Sequence, residues 1–106
     1  MKKDSQERRE DALRPSPFLG YNRDNLGLYL LSRQAYPIAE SQFRRAIWLN
    51  PYEPRFRVHL AWTLLRMGRR SEALLALERV DDNALDPDTR DLARWVRLPP
   101  DSKEDA

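Results

Sequence analysis

Displaced against itself by 34 residues, the chain superposes its hydrophobes. Leu26 falls on Leu60, Gly27 on Ala61 and Leu30 on Leu64, and the match continues with Ala39 on Ala73, Phe43 on Leu77 and Ala46 on Val80. A period of that length is one supersecondary unit used twice. Such a unit cannot bury its apolar face alone, so the copies must stack side by side.

Within each copy the spacing is helical. Leu26 and Leu30 mark a first helix, which Tyr29 and Leu31 widen and which reaches Arg33/Gln34. Tyr36-Pro37 opens a second, with Ala39, Phe43, Ala46 and Ile47 on one face, and Asn50-Pro51 stops it. Glu53-Pro54 opens a third, with Phe56, Leu60, Thr63/Leu64 and Met67 as its buried stripe. Gly68 is its expected C-cap, and the adjacent Arg66, Arg69 and Arg70 suit the negative end of the helix dipole. A fourth, capped by Ser71 or a neighbour, carries Ala73, Leu74, Leu77 and Val80 as far as Asp82-Asn83. Asp86-Pro87-Asp88 starts a short fifth with Leu92, Trp95 and Val96 on one face. No segment alternates as a strand would, so the expected fold is all-α: about five helices in antiparallel hairpins.

These residues resemble the tetratricopeptide repeat family, whose units run Leu-Gly-x2-(Tyr/Leu), then Ala-x3-Phe-x2-Ala, then a terminal Pro. The first unit matches as Leu26-Gly27-x2-Leu30, Ala39-x3-Phe43-x2-Ala46 and Pro51; the second as Leu60-Ala61-x2-Leu64 and Ala73-x3-Leu77-x2-Val80. Arg23 and Arg57 replace the family's bulky residue three positions before the Leu, and Leu85 stands where the second terminal Pro would be. The resemblance implies an α-solenoid over residues 18–98: repeats at 20–53 and 54–87, then a capping helix at 88–98. Gly27/Ala61 and Ala39/Ala73 would lie where paired helices approach closest. Two units are few, so a marginal monomer with an exposed apolar edge is expected, stabilised by self-association or by a partner.

Composition narrows the function. The 106 residues include no Cys, which removes disulfides, thiolate metal sites and Cys nucleophiles, and the single His, His59, is not expected to assemble a His-based metal site or a Ser-His-Asp triad. With no Gly-rich phosphate loop either, the chain is expected to be non-catalytic and to need no metal or cofactor. Charged residues make up 34%, and no stretch approaches the ~20 apolar residues of a spanning helix. The N-terminus lacks the apolar core of a secretory signal, so a cytoplasmic protein without membrane attachment is expected. Residues 1–17 read as a polar tail, with a short helix at Glu7–Arg14 allowed, and 99–106 as an acidic tail.

The resemblance also implies a concave groove lined by the first helix of each pair. Its candidates are Tyr21, Asp24, Asn25, Leu28 and Leu31 from the first unit, and Arg55, Val58, His59, Trp62 and Leu65 from the second, with Leu92 or Val96 added by the cap helix. Mostly apolar with an aromatic centre, this set suits a helical or extended segment of another protein, and implies an adaptor or assembly factor. Asp24 and Leu28 stand where some members hold a partner's C-terminal carboxylate, which disfavours that mode. Two readings stay open for Trp62, groove contact and packing beneath the cap helix. Leu28 and Leu31 are equally open to cover by the N-terminal tail.

The alternative partner is nucleic acid or an acidic protein. Residues 20–80 hold ten Arg and no Lys against five carboxylates, with Arg44, Arg45, Arg55, Arg57, Arg66, Arg69, Arg70 and Arg79 as a potential basic face. These lie on different helix faces and the following segment is acidic, so nucleic acid is disfavoured. The excess of Arg over Lys fits either bidentate contacts or a base-composition bias.

Overall fold

A computed structural model describes residues 18–101; the N-terminal tail with its Glu7–Arg14 segment and residues 102–106 lie outside that range. Five α-helices form among the described residues: α1 (Tyr21–Ser32), α2 (Tyr36–Leu49), α3 (Pro54–Arg66), α4 (Arg70–Ala76) and α5 (Pro87–Arg97). A 3-10 turn at Asp82–Ala84 precedes the last. Consecutive helices pack as hairpins, and α3 also touches α1 and α5. The fold is all-α, built of consecutively packed helices in a repeat-like arrangement.

The two hairpin turns are copies 34 residues apart, down to their hydrogen bonds. Ala35 N–H donates to Leu30 O (2.9 Å) and Arg69 N–H to Leu64 O (2.9 Å); Gln34 N–H donates to Leu31 O (2.9 Å) and Gly68 N–H to Leu65 O (3.0 Å). Both turns need one left-handed residue after the helix, supplied by Gln34 (φ 61°) and Gly68 (φ 76°). Gly68 was legible as a stop signal; Gln34 adopts the same conformation with a side chain that rarely does.

Gly27 permits the close approach of α1 and α2. A Cβ there would lie 2.7 Å from Cδ1 and 2.8 Å from Cζ of Phe43, whose ring is wholly buried. The core runs from this contact through Ala39, Val58, Leu60, Ala61 and Leu64 to Ala73, Leu77, Ala93 and Val96. Because α3 is covered by four other helices, it buries Phe56, Val58, His59, Leu60, Ala61, Thr63 and Leu64, almost all round its axis. The narrow stripe expected for α3 understates this, since period 3.6 marks one buried face and not burial on several sides.

Two local expectations change. Helix α4 ends at Ala76, and Leu77 and Val80 pack from a turn closed by Val80 N–H to Leu77 O (3.0 Å). Arg69, not Ser71, is its N-cap residue, and no side chain caps it. Helix α5 is tied to the segment before it through Arg90 and Arg97. Arg90 donates to the Asp82 and Leu85 carbonyls (3.0 and 3.1 Å), and Arg97 grips the Asp82 carboxylate (2.7 Å), so both pin the preceding connection to the helix. That helix begins as expected, with Asp86 accepting from Thr89 N–H (3.1 Å) and Thr89 Oγ1 (2.6 Å). It also carries Leu92-Ala93-x2-Val96, which matches Leu60-Ala61-x2-Leu64 at a displacement of 32, outside the 34-residue register. Ala93 and Val96 are buried just as Ala61 and Leu64 are, so α5 docks on α3 with the residues a first helix uses.

Candidate interaction surface

Three of the ten groove residues predicted from the resemblance are buried in the fold. Asp24 and Val58 are fully buried and His59 nearly so, a correction to their expected place on an accessible wall. The cause is the cover over α3, together with the bond between two of them: Nδ1 of His59 lies 2.7 Å from Oδ1 of Asp24. With the carboxylate as acceptor, the proton of that bond sits on Nδ1. Asp24 Oδ2 makes no hydrogen bond, and Arg55 Nη2 stands 3.8 Å from it. In sequence, a polar pair buried between helices looks like two surface residues.

The other candidates are partly engaged. Tyr21 is half-buried, edge-on to Phe56 (5.1 Å), and its hydroxyl donates to Glu53 Oε1 (2.8 Å), which holds the phenol above its usual pKa. Leu28, Leu31, Trp62 and Leu65 are half-buried against the core. Arg66 lies 5.9 Å above the Trp62 ring. Arg55 is half-buried, and Asn25 alone among the ten is exposed.

The open apolar surface lies elsewhere. A recess of about 460 Å³ runs between α2 and α4, floored by Leu60 and Leu64 of α3 and walled by Ile47, Trp48, Leu75 and Ala76. Trp48 and Leu75 on its lips are 72% and 66% exposed. A second recess, of about 430 Å³, shares Trp48 and Arg44 with the first and extends over Arg23, Gln42 and Arg45. Trp48 therefore stands between two depressions, with the Arg45 guanidinium 4.9 Å from its ring centre. The sequence carried a hint of this. Ala39, Phe43 and Ala46 define the buried stripe of α2, and Trp48 falls off it, a large aromatic on the wrong side of an amphipathic helix.

Beside the recess a charged network ties α2 to α4. Arg69 bridges Glu40 (2.7 Å) and Glu72 (2.6 Å), and Arg44 meets Glu40 at 2.9 Å and Glu72 at 3.7 Å. Burial by itself would raise the Glu40 carboxyl, but the hydrogen bonds from Arg69 and Arg44 outweigh it and bring it below its ordinary value. Glu72 is lowered chiefly by Arg69, and Asp86 by its bonds from Thr89. Groups with folded values below their unfolded ones stabilise the fold above the unfolded value, and that stabilisation is lost as pH falls through the folded value. Thermal unfolding followed from neutral pH downwards should therefore show Tm falling below about pH 4.5, the ordinary Glu value. Arg69→Met should flatten that acid limb; an unchanged limb would mean the network contributes nothing.

Among the described residues, no group of three or more His, Cys, Asp or Glu side chains is placed to hold a metal ion. None of the helices described is long and apolar enough to cross a membrane. No family model, curated protein or solved structure matches this chain. Of the arginines expected to form a basic face, Arg44 and Arg69 are paired with carboxylates and Arg55 stands by Asp24. Arg66 packs over Tyr36 and Trp62.

Proposed function

We propose that this chain is a non-catalytic protein-interaction module of tetratricopeptide-like type, an adaptor or assembly factor that works in the cytoplasm and takes a segment of another protein. The turn hydrogen bonds repeated at 34 residues support the repeat reading. The observation that carries the interaction reading is the pair of exposed apolar side chains, Trp48 and Leu75, on the lips of a recess with an apolar floor. Exposed aromatics beside a preformed depression have the composition and shape of binding hot spots. The recess, rather than the groove along α1 and α3, is the proposed contact surface, because three of the groove's ten side chains are buried in the fold.

Selection of peptides from a displayed library against the full chain tests this. Enriched sequences should bind the wild type and lose about 2 kcal/mol or more of affinity to Trp48→Ser/Leu75→Ser. That variant should keep its helix content and Tm, since both side chains are exposed. Selected peptides that bind wild type and variant equally would reject the surface.

A further inference from the structure

The charge around the recess narrows what it takes, an inference that rests on the interaction reading above. Among the described residues, Arg23, Arg45 and Arg57 form no ion pair, although Arg44 beside them is paired with Glu40 and Glu72. Arg57 lines the apolar recess, Arg23 lines the adjoining one, and Arg45 lies against Trp48 at their junction. Arg23 donates only to the Gln42 amide oxygen (3.4 Å), and Glu72, which also lines the apolar recess, is taken up by Arg44 and Arg69. Three guanidiniums without a carboxylate partner thus border two adjoining recesses, the first of them an apolar trough walled by Ile47, Trp48 and Leu75.

From this juxtaposition we infer that the recess binds an acidic amphipathic helix of a partner protein, with its apolar side chains in the trough and its carboxylates facing Arg23, Arg45 and Arg57. The trough is bounded by two helices and floored by a third, which is the form that accepts a helix through anchors at i, i+3 or i+4, and i+7. Carboxylates flanking those anchors would meet the guanidinium fork bidentately. A basic helix with the same anchors would meet like charge, so the three guanidiniums discriminate as well as attract. A nucleic acid fits less well. The floor offers phosphates only hydrocarbon, and Arg45 already covers the Trp48 ring on which a base would stack.

The test uses two synthetic helices with one apolar stripe, their flanks carrying Glu in one and Lys in the other, titrated against the full chain by fluorescence anisotropy. At low salt the Glu helix should bind about tenfold or more tightly than the Lys helix, with the gap narrowing as salt rises. Arg23→Gln/Arg45→Gln should shrink that preference, and Arg57→Gln should shrink it further, with melting curves checking that each variant folds. Trp48→Ser/Leu75→Ser should abolish binding of both. Equal affinity for the two helices, lost together in Trp48→Ser/Leu75→Ser, would overturn the charge assignment and leave the interaction reading standing. Binding by neither helix, while library-selected peptides still occupy the recess, would overturn the acidic helix alone; failure of every peptide would overturn both. The acidic-helix inference also fails if oligonucleotides displace the Glu helix, or if the chain self-associates through Trp48 and Leu75.

Discussion

Phe43→Ala is expected to remove about 3–5 kcal/mol of folding stability, the usual loss for a buried aromatic cut to a methyl. Small domains hold little in reserve, with totals of about 5–15 kcal/mol that lie toward the lower figure at this size. The variant should therefore be near unfolding at room temperature, which urea denaturation followed by circular dichroism would read. The ring is fully buried, faces Gly27 of α1 and lies 5.6 Å from the His59 ring of α3, so its loss opens the junction of three helices. The partner position gives a sharper test. Helix propensity alone favours Gly27→Ala by about 1 kcal/mol. Against the intact ring, however, the new Cβ forces α1 and α2 apart, and overpacking costs about 1–3 kcal/mol. At 2.7 Å from a ring with nowhere to move, the cost should exceed the gain. In the Phe43→Ala background the same methyl enters vacated space and should stabilise. That reversal of sign is the signature of the contact, and additive effects would deny it.

The second large effect concerns Asp24. Removing one member of a buried polar pair strands the other, a loss of about 3–5 kcal/mol for charged groups. Asp24→Val should approach that figure, because His59 would keep a buried N–H with no acceptor. The choice of Val comes from the fold itself: Val58 occupies the equivalent place in the second unit and is wholly buried. Replacing both members, as Asp24→Val/His59→Phe, should recover most of the loss, since well-packed apolar groups often match a buried polar pair in stability. A double-mutant cycle read by chemical denaturation would return a coupling of about 2 kcal/mol or more. Coupling near zero would mean that Asp24 and His59 act independently, with the 2.7 Å contact contributing nothing.

The fold was legible where local chemistry and the repeat agreed. Pro54, Gly68 and Asp86-Pro87 each mark a helix boundary through backbone geometry that few other residues supply. Coincidence at one displacement then turned separate helices into stacked hairpins. The shortened α4 was not legible, because Leu77 and Val80 keep helical spacing while packing from a turn. The kinship of α5 with α1 and α3 was hidden by a two-residue change in register. The candidate site was read less well, for a physical reason. Pattern shows which face of a helix is apolar but not how many neighbours cover it. Asp24 and His59 therefore looked accessible, while Trp48, the most exposed of the three tryptophans, was passed over.

Nuclear magnetic resonance of the isotope-labelled chain separates the two surfaces directly, because the three indole N–H signals come from Trp48, Trp62 and Trp95. Titrated with a library-selected helix, the Trp48 signal should move in proportion to occupancy while Trp62 stays within its unbound position. A shift of Trp62 with Trp48 unmoved would place the partner along α1 and α3 and contradict the recess.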